Sequence, residues 1–155
     1  MHDLNKFVES LLENYHYEKF GSIIQTKEIK LKKQSYVSLV EIIKNHVKLE
    51  NTNTVQGCLH LIEILTSSEF GAKILFPLLY KDLYKVTEKP KLKQFTSNIL
   101  RIIGNILKYN FNIEELLFCK TTKLLLLESN ETQLVHPKLK EIRSVLLNNH
   151  GENKT

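Results

Sequence analysis

Five polar residues recur at helical spacing within an otherwise apolar stretch, residues 90–109. Successive members are 4, 3, 4 and 3 residues apart: Gln94, Asn98, Arg101, Asn105 and Lys108. At 100° per residue they fall within about 80° of one another on a helix, which predicts a narrow polar face. Amides donate and accept hydrogen bonds, and the two cations can pair with anions, so this face is suited to recognition and not to bond breaking.

A second polar face precedes the first by 38 residues. Gln56, His60, Glu63 and Ser67 repeat the 4, 3, 4 spacing. If the two helices stack, the faces lie side by side and form a candidate binding surface. We name this surface the polar strip and assign to it Gln56, His60, Glu63, Gln94, Asn98, Arg101, Asn105 and Lys108. The alternative is an ordinary solvated face, which every amphipathic helix has.

Sequence signatures of enzymes and metal sites are missing from the chain. It has no Gly-rich phosphate loop, no Gly-x-Ser-x-Gly, no His-Glu-x-x-His and no Cys-x-x-Cys. No two of the six histidines are four residues apart, the spacing that would set both on one helix face for a metal. Glu114 and Glu115 are adjacent carboxylates, the residue type of a catalytic pair. They lie in the first turn of a predicted helix, where negative charge suits the helix dipole, and this structural explanation is preferred. We therefore predict no enzyme activity, no metal and no cofactor.

The elements that must position the polar strip are helices. Apolar residues recur with a period of 3.6 from end to end, and no sustained alternation indicates a strand. Pro77 lacks an N–H and would clash with the preceding turn, which predicts a helix break near Phe76.

The chain of 155 residues has the size of one domain, expected over 1–150 with a polar tail at 151–155. The predicted helices cover about 4–15, 34–49, 55–66, 69–75, 77–86, 90–109, 113–119, 121–128 and 137–149.

Similar segments recur at spacings of 38 to 47 residues. Pro-Lys-Leu-Lys occurs at 90–93 and at 137–140, and "LIEIL" at 61–65 superposes on "ILRII" at 99–103 with an offset of 38. Periods of about 40–47 residues are typical of armadillo and HEAT repeats. "ILFPLLYKDL" at 74–83 resembles the opening of an armadillo second helix, and "RIIGNIL" at 101–107 resembles the Gly-Asn signature of a third helix.

This resemblance implies an all-α fold, a short right-handed α-α superhelix of armadillo or HEAT-type repeats. Residues 53–149 would form about two to two and a half repeats, and 1–50 an atypical amino-terminal cap. In the armadillo family, third helices line the concave surface and the Gly-Asn asparagine, here Asn105, hydrogen-bonds the backbone of a bound peptide. Importin-like members carry a Trp where this chain has Arg101, so with Lys108 an acidic or phosphorylated segment matches better than a basic localisation signal.

Charge and cysteine content bear on partners and location. The net charge of +5 lies in the second half, which includes a lysine cluster at 81, 85, 89, 91 and 93. The expected partner is another protein or a peptide segment. There are three alternatives. The basic half could bind nucleic acid, or the chain could be a structural subunit whose polar strip is buried in a larger complex. The third is a compact eight-helix domain that binds phosphorylated tails or sorting peptides. Cys58 and Cys119 read as buried free thiols, and no secretory signal or membrane span is apparent, so we expect a cytoplasmic or nuclear protein.

Overall fold

A computed structural model describes residues 2–23, 28–79, 83–109, 139–141, 143, 144, 147 and 148. The predicted helices 113–119 and 121–128, the tail 151–155, the Glu114–Glu115 pair, Cys119 and Pro137 lie outside these residues. The helices run in the order α1 His2–Glu13, the 3₁₀ segment η1 Tyr17–Ser22, α2 Lys33–Lys48, α3 Thr52–Thr66, α4 Glu69–Leu79, α5 Leu83–Glu88, the 3₁₀ segment η2 Pro90–Phe95, and α6 Thr96–Leu107. Within the described ranges there is no strand, which confirms the all-α class.

Helix α3 is the centre of the packed structure. It contacts η1, α2, α4 and α6. Most of its apolar side chains are buried, because they cover more than one side of the helix and each side has a neighbour. Gly57 allows η1 to approach closely, since a Cβ atom there would lie 2.3 Å from the carbonyl oxygen of Tyr17. Helix α3 therefore has other elements packed against it on several sides, among them η1 and α6.

Helix α2 has hydrogen bonds at both ends, from α1 at its start and from its own backbone at its end. At its start the Glu9 carboxylate, from α1, accepts hydrogen bonds from the Lys32 N–H at 2.9 Å and from the Ser35 hydroxyl. At its end the Glu50 N–H donates to the Val47 carbonyl at 3.1 Å, and Glu50 has a positive φ of 53°. This position after a helix usually holds glycine, because the left-handed conformation crowds a Cβ atom.

The second half of the polar strip, from Gln94 to Lys108, was expected on one α-helix over 90–109, and this expectation is wrong at the start of the helix. Residues Pro90–Phe95 form a 3₁₀ segment, and the α-helix begins at Thr96. Leu92 and Phe95 are both buried at a separation of three residues, the period of a 3₁₀ helix. The Thr96 hydroxyl donates to the Lys93 carbonyl at 2.8 Å at the junction.

The predicted break before Pro77 is also wrong. Helix α4 continues through Pro77 to Leu79. Proline removes one backbone hydrogen bond, but Leu75, Phe76 and Leu79 are buried on either side of it, and Pro77 itself faces solvent. Burial of this apolar face outweighs the lost hydrogen bond.

Across the described part of the chain, no helix is both long enough and apolar enough to cross a bilayer.

Candidate functional site

Helices α3 and α6 lie side by side and run in the same direction. Arg101 Nε donates to Glu63 Oε1 at 2.6 Å, and Asn105 Nδ2 donates to the Glu63 carbonyl at 2.9 Å. Just beyond α6 the Tyr109 hydroxyl donates to the Ser67 carbonyl. From Asn105 to Tyr109 the donor advances by four residues, and the acceptor advances from Glu63 to Ser67 in the same direction, as in parallel helices. The two halves of the polar strip are adjacent at this contact.

Asn105 belongs to the packing between the helices. The last carbonyls of an α-helix lack a backbone donor, and here the Glu63 carbonyl accepts hydrogen bonds from the Asn105 amide at 2.9 Å and from the Thr66 hydroxyl at 3.2 Å. The same amide nitrogen lies 3.4 Å from the Thr66 hydroxyl oxygen. Tyr109 completes this cap at Ser67. Thr66 and Tyr109 were missed in the sequence, although Tyr109 follows Asn105 by four residues and so shares its helix face.

His60 is also engaged within the fold. Its Nε2 lies 2.9 Å from the carbonyl oxygen of Ile23 and donates the hydrogen bond, because a carbonyl can only accept. The ring is half-buried. The amino-terminal part of α3 is thus covered by the η1 region, just as the carboxyl-terminal part is covered by α6.

The rest of the polar strip faces solvent. Gln56, Arg101 and Lys108 are exposed, and Asn98 is half-buried on α6. Gln94 is exposed on η2, where its Nε2 donates to the Lys91 carbonyl at 2.9 Å. The structure therefore divides the strip into an inner set that holds helices together, His60, Glu63 and Asn105, and an outer set that can meet a partner, Gln56, Gln94, Asn98, Arg101 and Lys108.

The charge of the strip is partly neutralised internally. The Arg101 and Glu63 side chains are 42% and 24% exposed, so solvent screens their attraction. An ion pair of this kind contributes about 0.2–1 kcal/mol to stability. Its larger effect is positional, since a guanidinium held at a carboxylate has fewer conformations to lose on binding a ligand.

Neither a metal site nor a reactive nucleophile emerges from the described residues. No group of three or more His, Cys, Asp or Glu side chains in that part of the chain is arranged to hold a metal ion. Cys58 is a free, fully buried thiol, and burial raises its pKa to about 12. A thiol with this pKa is protonated at neutral pH and inert as a nucleophile.

No protein-family model, curated protein or solved structure matches this chain. The armadillo or HEAT-type superhelix expected from the quoted motifs therefore stays a prediction, and the structure adds the contact of α3 with α6. That contact joins Glu63 to Arg101, which are equivalent positions under the offset of 38.

Proposed function

We propose that this chain is a non-enzymatic protein-interaction domain of armadillo or HEAT type that holds a segment of a partner protein along the outer polar strip. The observation that carries the proposal is the parallel packing of α3 and α6, with Arg101 hydrogen-bonded to Glu63. In a stack of helical repeats, equivalent helices of neighbouring repeats lie parallel and adjacent, and their outward side chains form one continuous surface.

The outer set suits an extended polypeptide. Gln56, Gln94 and Asn98 carry amides, which can meet the alternating N–H and C=O groups of a peptide backbone. Arg101 and Lys108 lie seven residues apart and add positive charge, so carboxylates or a phosphate on the segment fit better than lysines. Asn105, which the family resemblance placed at the peptide backbone, supports the surface from beneath because its amide nitrogen caps α3.

In the proposed mechanism, the packed helices present polar side chains to the partner in fixed positions. Partner side chains lose conformational entropy on docking, and an interface gains affinity when its own residues are already held in place. Among the outer residues, Arg101 is held in this way by Glu63, and Gln94 by the Lys91 carbonyl. Binding is then selective through the position of donors and charges and needs no chemical step.

The test begins with selection of peptides from a random phage-displayed library on the wild-type chain. The selected sequences are synthesised and their affinity is measured by fluorescence anisotropy. The strip variant is Arg101→Gln with Lys108→Gln, which keeps Asn105 and so preserves the α3 cap. The matched control, Lys6→Gln with Lys19→Gln, removes the same charge from exposed positions on α1 and η1.

We expect peptides rich in Asp and Glu, an affinity lower by about tenfold in the strip variant, and no change in the control. Equal binding by strip variant and control would overturn the proposal. Preferential binding of a single-stranded oligonucleotide, with the steep salt dependence of phosphate contacts, would overturn it in favour of nucleic acid.

A further inference from the structure

A cleft of about 380 Å³ lies between α2 on one side and α4 and α5 on the other. No described residue of α3 or α6 lines it, so it is separate from the polar strip. A volume of this size falls in the range of pockets that hold a ligand or a partner's side chains.

The floor of the cleft is apolar. Val40, Ile43 and Val47 come from α2 at separations of three and four residues, the spacing of one helix face. The end of α4 and α5 supply the opposite wall: Leu79, Leu83 and Val86. Each of the six is less than a tenth exposed, so the floor is largely shielded from solvent. Large apolar side chains of a partner would be transferred from water to this apolar surface, which favours binding.

The rim of the cleft is basic on both sides. Lys44 and Lys48 stand one turn apart on α2, and Lys85 and Lys89 stand four residues apart on α5 and directly after it. Among the described residues that line the cleft, Glu88 is the sole carboxylate. With four lysines and one glutamate the rim has a formal charge of +3, since 4 − 1 = 3.

We propose that this lysine-rimmed cleft binds an acidic amphipathic segment of a partner protein. The segment would place apolar side chains on the floor and carboxylates between the two rows of lysines. From Val40 to Val47 the floor spans about two helical turns, roughly 10 Å, enough for apolar anchors at positions i, i+3 or i+4, and i+7 of a docked helix. Lys48 on α2 and Lys89 directly after α5 lie on opposite sides of the cleft, so a segment with carboxylates on both flanks of its apolar face would meet a lysine on each side.

The probe is a fluorescein-labelled peptide of about 16 residues, with Leu on one helix face and Glu elsewhere. Its affinity is measured by anisotropy for wild type and for Lys48→Glu with Lys89→Glu. The matched control is Lys33→Glu with Lys91→Glu, one exposed residue on α2 and one on η2, neither of which lines the cleft. Both double variants change the net charge equally, and circular dichroism establishes that both retain wild-type helicity.

We expect the cleft variant to bind about tenfold more weakly or worse, and the control to bind within about twofold of wild type. A peptide with Lys in place of Glu should regain affinity for the cleft variant. In methyl NMR spectra the wild-type peptide should shift Val40, Val47 and Leu83. The strip variant Arg101→Gln with Lys108→Gln should bind this probe normally, which separates failure of the cleft proposal from failure of the proposed function.

Four results would each contradict the proposal. The first is equal loss of affinity in cleft variant and control, which would indicate general charge attraction. The second is equal binding of a scrambled peptide without an apolar face. The third is displacement of the peptide by sodium dodecanoate at comparable affinity, which would make the cleft a site for a single-chain amphiphile. The fourth is no detectable binding up to about 1 mM peptide.

Discussion

Arg101 Nε lies 2.6 Å from Glu63 Oε1, although 38 residues separate the two in the chain. The same number, 38, is the offset at which "LIEIL" superposes on "ILRII", so the ion pair joins equivalent positions of two similar helices. The other hydrogen bonds between these elements join residues 39 or 42 apart. The pair therefore shows that two segments of similar sequence lie next to each other in the fold.

Asn105→Ala should destabilise the fold even if no partner is present. The substitution removes the interhelical donor of the Glu63 carbonyl, which keeps only the Thr66 hydroxyl at 3.2 Å. Loss of one hydrogen bond of this kind costs about 0.5–1.5 kcal/mol. We expect a decrease of this size in the free energy of unfolding, measured by urea denaturation with circular dichroism.

Asn98→Ala is the matched control for that measurement. It deletes the same amide seven residues earlier on the same face of α6. Arg101→Gln is a second comparison, and it should cost less than about 1 kcal/mol because its ion pair is partly exposed. If Asn98→Ala costs as much as Asn105→Ala, the capping role of Asn105 is wrong.

Sequence periodicity predicts a helix well where the apolar pattern fits an α-helix and no other element. The expected helices 34–49 and 55–66 correspond to α2 and α3, with bounds that differ by at most three residues. The expected helix 90–109 fails at its start because buried Leu92 and Phe95, three residues apart, satisfy both an α-helix and a 3₁₀ helix. Pro77 misleads because its cost is local, whereas the burial of Leu79 that outweighs it depends on tertiary contacts.

The sequence predicts where the polar strip lies but not what each of its side chains binds. The common spacing and the offset of 38 suffice to place the two polar faces together if the helices stack. They do not say what each side chain binds, because an Asn amide can meet a ligand backbone or a neighbouring helix carbonyl equally well. Asn105 and His60 use their donors within the fold, and this depends on the positions of Glu63 and Ile23 in space.

Gly57→Ala should destabilise the protein. A Cβ atom at this position would lie 2.3 Å from the Tyr17 carbonyl oxygen, and both groups are backbone atoms or attached directly to backbone. Overpacking of this kind costs about 1–3 kcal/mol, which the higher helix propensity of alanine offsets only in part. Thermal unfolding should therefore show a lower Tm for Gly57→Ala.

Gly21→Ala provides the control, since a Cβ atom there meets nothing within 4 Å. We expect its free energy of unfolding to stay within about 0.5 kcal/mol of wild type. A Gly57→Ala protein as stable as Gly21→Ala would show that η1 does not pack closely on α3.

Glu50→Gly should stabilise the protein. Glu50 follows α2 with a φ of 53°, a conformation that costs a residue with a Cβ atom about 1–2 kcal/mol. Glycine removes this strain but adds entropy to the unfolded chain, so we expect a net gain of about 0.5–1 kcal/mol in urea denaturation. Glu50→Ala removes the carboxylate and keeps the strain. If alanine stabilises as much as glycine, the effect comes from charge and not from the backbone.

The stability of the fold should decrease in alkaline solution because of Cys58. Burial raises the pKa of this thiol from 9.0 to about 12 in the folded chain. Below about pH 9 the thiol is protonated in both states, and its full contribution to the free energy of unfolding is present. Between pH 9 and pH 12 only the unfolded state loses the proton, so this contribution decreases. The free energy of unfolding should fall across this window by about 1.4 kcal/mol per pH unit from this group alone.

The measurement compares Cys58 with Cys58→Ala, both in a Cys119→Ser background, by urea denaturation at several pH values. Tyr and Lys side chains titrate in the same window, so the difference in slope between the two proteins isolates the contribution of Cys58. The alanine variant should be less stable at pH 8 because of the cavity it creates, yet lose less stability as the pH rises. Equal slopes would mean that the thiol ionises as readily in the folded chain as in the unfolded one. Rapid labelling of native Cys58 by a thiol reagent at pH 8 would contradict its burial by an independent route.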